Sequence, residues 1–154
     1  MSVMEGDEAP AFEMPASGGR NVSLAALKGR PFVLYFYPKA DTPGCTKQAC
    51  AFQEALGQLG KIGVEVIGVS RDKMKPIEAF AKKYSLTFPL ASDEAGGASL
   101  AYDTWVEKSM YGKKYMGMER STFLIDQGGR IAKIWRKVSV PGHAKDVTDA
   151  VAAL

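Results

Sequence analysis

An apolar run, Phe32-Val33-Leu34-Tyr35-Phe36-Tyr37, stops at Pro38 and gives way within a few residues to Thr42-Pro43-Gly44. No other stretch constrains the fold more. The run is the right length and composition for a buried strand. Thr42 suits an N-cap, and Pro43 suits the first helical position, where its missing N–H costs nothing. A buried strand feeding directly into a helix is the first half of a β-α-β unit. Val64-Glu65-Val66-Ile67-Gly68-Val69-Ser70, a β-branched run, supplies the returning interior strand after a helix over about 43 to 60.

The alternation continues. Met74, Ile77, Phe80, Ala81 and Tyr84 recur at helical spacing. Phe88-Pro89-Leu90-Ala91 reads as a short strand, with Pro89 pointing to a sheet edge or a bulge. Asp93 can cap a short helix running through Gly96 to Tyr102. Two runs, Ser121–Asp126 and Ile131–Arg136, flank Gln127-Gly128-Gly129-Arg130 and predict a β-hairpin, after which a last helix runs from about Gly142 to the C-terminus. The order βαβαβ followed by ββα implies an α/β fold with a central mixed sheet and helices on both faces. No linker or repeat divides residues 1–154, so one domain is expected.

Composition narrows the function classes. At 46% hydrophobic and 24% charged residues the chain is ordinary for a globular protein. Its net charge of +3 is mild, and no dense Lys/Arg block is interleaved with aromatics, so no nucleic-acid partner is expected. The start, Met1-Ser2-Val3-Met4-Glu5-Gly6-Asp7-Glu8, lacks a basic segment followed by an apolar one. No apolar run approaches the ~20 residues of a membrane span. A cytoplasmic protein without a membrane partner is the expectation. There is no phosphate loop or dinucleotide fingerprint, and no cofactor is expected.

Two cysteines are too few for a disulfide scaffold, and a close pair in an intracellular chain points to catalysis, redox sensing or metal binding. Cys45 falls in the first turn of the predicted helix, Cys50 five residues on. At a helix start the unpaired N–H groups and the positive end of the dipole favour an anion, so a thiolate is favoured at Cys45 and with it a nucleophile. The single histidine, His143, lies at the expected start of the last helix, as a core or capping residue. A zinc site built on the two cysteines would need a fourth ligand that the sequence does not offer, and no metal is expected.

The segment Pro38-x-x-x-Thr42-x-x-Cys45 resembles the active-site signature of the peroxiredoxins. Cys50 is similar to the resolving cysteine of their subgroup called peroxiredoxin Q or bacterioferritin comigratory protein. The stretch from Tyr111 to Asp126 resembles the segment that carries the family's active-site arginine, here Arg120. The resemblance implies a thioredoxin-like fold and a thiol-dependent peroxidase acting on hydrogen peroxide and organic hydroperoxides. In that reading Cys45 attacks the peroxide and becomes a sulfenic acid, and Cys50 resolves it as a disulfide. Thioredoxin or a similar dithiol protein re-reduces the pair. Arg120 is the activating cation, Thr42 hydrogen-bonds the sulfur or the peroxide, and Pro38 shapes and dehydrates the pocket. A monomer is expected.

Geometry puts a condition on this cycle. Five residues along an ideal helix separate two Cα atoms by roughly 8.6 Å, whereas a disulfide needs less than about 7 Å. The helix must therefore unravel locally before Cys45 and Cys50 can join. Competing readings remain: Cys50 as a small buried side chain, a thiol–disulfide oxidoreductase on the same fold, and a redox sensor whose unfolding exposes a partner surface. The oxidoreductase chemistry favours Cys-x-x-Cys, and the wider spacing here counts against it.

Overall fold

The computed structural model describes residues 3–61 and 63–154. Its centre is β3 (Phe32–Phe36), buried at every position. β3 pairs in parallel with β4 (Glu65–Ser70) and antiparallel with β8 (Ser121–Ile125), which in turn pairs with β9 (Ile131–Trp135). On the other side β4 lies beside β5 (Leu90–Ser92), followed by β1 (Glu13–Ala16) and β2 (Arg20–Ser23), giving a seven-stranded mixed sheet in the order β2-β1-β5-β4-β3-β8-β9.

The period of two along β3 decides which helix covers which face. Phe32, Leu34 and Phe36 join a core with Phe12, Tyr102 and Phe123, roofed by the N-terminal segment and α3 (Gly97–Ala101). Val33, Tyr35 and Tyr37 point to the other side. There α1 (Pro43–Lys61), α2 (Met74–Lys83) and α4 (His143–Ala152) lay down Cys45, Ala49, Phe52, Ile77, Phe80, Val147 and Val151. Gly68 of β4 is glycine for a packing reason: a Cβ there would stand 2.8 Å from Tyr35 Cζ and from Leu90 Cδ2. The fold class is the one read from the sequence, with helices on both faces of a mixed sheet.

Three expectations need correction. Pro89 does not mark an edge or a bulge: β5 is internal, and Pro89 lies just before it with its carbonyl accepting Gly68 N–H at 3.1 Å. The N-terminal hairpin β1–β2 and a separate two-stranded sheet, β6 (Trp105–Met110) with β7 (Lys113–Met118), are additional to the predicted elements. Thr42 does not cap α1 with its side chain. Its carbonyl accepts Thr46 N–H at 2.8 Å and begins the helical ladder, while its hydroxyl donates to the Lys39 carbonyl at 2.8 Å. Asp93 does cap α3, its carboxylate accepting Ala98 N–H at 3.1 Å and Ser99 N–H at 2.7 Å.

Candidate active site

The site forms where β3 hands the chain to α1. Pro38 lies exposed just beyond the strand, and Thr42 is half-buried at the head of the helix. Cys45 is 1% exposed, in the first helical turn, among the apolar side chains beneath α1. Thr46 donates the first bond of the helical ladder, so the Gly44 and Cys45 N–H groups precede that ladder, in the part of a helix that favours an anion.

Arg120 comes from the strand next to β3: it closes the link between β7 and β8, one residue before Ser121, the register partner of Phe36. Its backbone is pinned on both sides: Glu119 N–H donates to the Thr104 carbonyl at 2.7 Å and Val138 N–H to the Arg120 carbonyl at 2.9 Å. Glu119 further pairs with Arg136 at 3.6 Å and accepts the Ser121 hydroxyl at 2.7 Å. The Arg120 side chain then reaches two partners one turn apart on α1. Nη1 donates to Gln48 Oε1 at 2.6 Å and Nη2 to Cys45 Sγ at 3.4 Å. Gly44 makes room for this approach, because a Cβ there would stand 3.2 Å from Nη2.

Gln48 was absent from the sequence reading, although a signal existed: it is three residues after Cys45 and so shares its helix face. It is 2% exposed, and its Nε2 has no hydrogen-bond partner among the described residues. The structure thus brings Cys45 and Arg120 into contact, with Gln48 as the bridge. Thr42 lies in the loop before them, and Pro38 sits further back and exposed. Cys50 is half-buried in the same unbroken helix as Cys45, and both are free thiols.

His143 is not part of that contact. As expected it opens α4 as a buried residue, its Nε2 paired with Thr122 Oγ1 at 2.8 Å and its ring edge-on to Phe52 and Trp135. Burial, with a smaller push from Arg120 and an opposing pull from Asp146, lowers its pKa to about 4. The unfolded chain therefore binds a proton near pH 6.5 that the folded chain refuses until about pH 4. His143 contributes stability that is complete above pH 6.5 and is lost as the pH falls toward 4. Thermal melts should show a steep fall in Tm across that window, shallower in His143→Gln. Equal slopes would remove His143 as the cause.

Among the described residues no group of three or more His, Cys, Asp or Glu side chains is placed to hold a metal ion, and no helix is long and apolar enough to cross a membrane. A cleft of about 510 Å³ bounded by Arg20, Leu56, Val64 and Phe88 shares no residue with the Cys45 site.

Residues 5–134 match the AhpC/TSA family. A relative described as a putative peroxiredoxin bcp from Coxiella burnetii is 48% identical over 147 residues, covering 96% of this chain and 97% of the relative. The Bacillus subtilis peroxiredoxin Bcp is 42% identical, covering 95% and 93%. Among solved structures, a cysteine-to-serine mutant of Xylella fastidiosa PrxQ superposes with a TM-score of 0.94 at 38% identity, over 99% and 98% of the two chains. The Xanthomonas campestris bacterioferritin comigratory protein, studied for its alkyl peroxide reduction activity, gives 0.88 at 42% identity over 92% and 90%.

Proposed function

The chain belongs to the AhpC/TSA family as a thiol-dependent peroxidase of the Bcp, or peroxiredoxin Q, type, and from that premise we propose that Cys45 is the residue that attacks the peroxide. The observation that carries this is the Arg120–Cys45 contact at the N-terminus of α1, with a guanidinium donor 3.4 Å from the sulfur. Two positive influences, a fixed cation and a helix start, meet on one buried thiol.

The Cys45 thiolate attacks the terminal oxygen of ROOH. The O–O bond breaks, the sulfur becomes a sulfenic acid, and the alkoxide leaves as ROH once protonated. Arg120 and the Cys45 N–H face the charge as it moves to the leaving oxygen. Thr42, its own proton committed to Lys39, offers an oxygen lone pair to the peroxide O–H. Pro38 gives the same loop a fixed φ and an apolar rim. Cys50 then displaces hydroxide from the sulfenic acid, forming the disulfide and water, after the first turns of α1 have unravelled. Thioredoxin or a similar dithiol returns both thiols, acting on a monomer.

The test is peroxide consumption with thioredoxin, its reductase and NADPH. Wild type turns over many times. Cys50→Ser consumes one equivalent of peroxide at the wild-type rate, then stops until a small thiol is added. Many turnovers by Cys50→Ser with thioredoxin alone would remove Cys50 from the cycle. Amide exchange over residues 43–50 should quicken in the disulfide form; equally slow exchange in both forms would sink the unravelling step.

A further inference from the structure

The loop that delivers Thr42 and Cys45 is fastened to the neighbouring strand-to-helix junction, between β4 and α2. Ala40 N–H donates to Asp72 Oδ2 at 2.7 Å. The same carboxylate oxygen accepts the Ser70 hydroxyl at 2.8 Å, and Asp72 N–H returns to Ser70 Oγ at 3.3 Å. The Ser92 hydroxyl fixes the Asp72 carbonyl at 2.6 Å, and Ser70 and Ser92 are themselves register partners at the ends of β4 and β5. Asp72 is therefore a half-buried residue held at its backbone N–H, its carbonyl and its carboxylate, with the carboxylate aimed at one backbone N–H of the loop.

A second tie lies further along. Asp41 takes a left-handed conformation, φ +60°, and its carboxylate accepts Tyr84 Oη at 2.9 Å and Lys83 Nζ at 3.0 Å. Those donors hold the Asp41 pKa below the ordinary carboxylate range. This tie is exposed, however, and exposed ion pairs contribute little. The Asp72 bond is charge-assisted, short and part of a network, which makes it the stronger of the two.

Resting on the reading of Cys45 and Thr42 as the peroxide site, we propose that Asp72 is a positioning residue for the reaction: its carboxylate holds Ala40 N–H and so fixes the loop Lys39–Thr42 that places the Thr42 oxygen against the peroxide. Asp72 touches neither sulfur nor substrate and acts only through the loop. The same tie puts the hinge of helix opening beyond Thr42, at Pro43 and Gly44. The loop stays with β4 and α2 while the first turns of α1 leave.

The experiment compares two rates on reduced protein: single-turnover oxidation of Cys45 by hydrogen peroxide, and its alkylation by iodoacetamide. Alkylation needs the thiolate but not the peroxide-binding loop. Asp72→Ala should lower the peroxide rate by about ten- to a hundredfold, the scale of a charged hydrogen bond or a displaced reacting group, with alkylation within about twofold of wild type. Asp72→Asn, whose amide oxygen still accepts Ala40 N–H, should recover most of the loss. Ser70→Ala removes only a hydroxyl that orients the carboxylate, should cost about threefold in the peroxide rate alone, and serves if Asp72→Ala does not fold.

A peroxide rate unchanged in Asp72→Ala and Ser70→Ala overturns the proposal. So does a parallel fall in both rates, which assigns Asp72 to the fold alone, and so does an Asp72→Asn no better than Asp72→Ala. Cys45→Ser is run alongside: peroxide consumption surviving in it would overturn the reading of the site itself, and the proposal with it. Loss there, with peroxide rates unchanged in the Asp72 variants, overturns only the role of Asp72.

Discussion

Cys45→Ser should consume no peroxide above the buffer background, at any peroxide concentration and with any reductant, while folding as wild type does. The expectation has two parts. Serine is close to cysteine in shape, and the position is a packed one, 1% exposed beneath α1, so the core around Ala49 and Phe52 stays filled. Serine Oγ can still accept from Arg120 Nη2, so the cation keeps a partner. What is lost is the nucleophile. A serine hydroxyl at neutral pH is not ionised without a strong base beside it, and the one histidine of the chain is paired with Thr122 instead. Stopped-flow peroxide consumption beside a thermal melt separates the two parts. Activity retained in a folded Cys45→Ser protein would move the chemistry to another residue.

Arg120→Met should slow peroxide attack by ~100-fold or more, in line with the loss of a charged donor from a transition state. Methionine keeps the apolar stem and removes the fork. The fork matters because its two arms do different work: Nη1 is anchored on Gln48 Oε1 at 2.6 Å, which aims Nη2 at the sulfur. A flexible ammonium has no such second arm, so Arg120→Lys should recover only part of the rate. Part of the cost falls on Gln48, left buried with Oε1 also unpaired, and appears as a lower Tm rather than a lower rate. The second-order rate of Cys45 oxidation is the deciding measurement. A value within about twofold of wild type would take Arg120 out of the site.

Much of the central architecture was legible because its signals are local. The all-apolar β3, the β-branched β4 and the Pro43 helix start each carry their own instruction, and the Gln127–Arg130 turn specifies the β8–β9 hairpin. The β6–β7 sheet was not read. Its strands carry lysines, a glutamate and exposed methionines instead of an apolar face, and Tyr111 at its tip is 99% exposed. The turn residues did hold a signal. Tyr111 and Gly112 both take positive φ, 51° and 77°, the geometry of a two-residue hairpin turn.

In the site, Cys45 could be placed from its own helix, whereas Arg120 lies 75 residues away and only resemblance to a family singled it out. No local pattern distinguishes an arginine that reaches a neighbouring helix from one on the surface. Thr42 shows the opposite failure. Its preference as a helix cap is real, but Lys39 offered its hydroxyl a closer bargain through the loop.

The unbroken helix that carries both cysteines also sets a clock. On the proposed cycle the oxidised sulfur waits inside α1 until the helix lets go. A second peroxide that arrives first drives it on to a sulfinic acid, which Cys50 cannot recover. The frequency of that opening, more than the speed of the attack, fixes the peroxide dose the protein survives. Gly44 and the β-branched Thr46 keep the first turns of α1 weak. Replacing Thr46 by alanine would steady that stretch and give a protein with a shorter working life under oxidant.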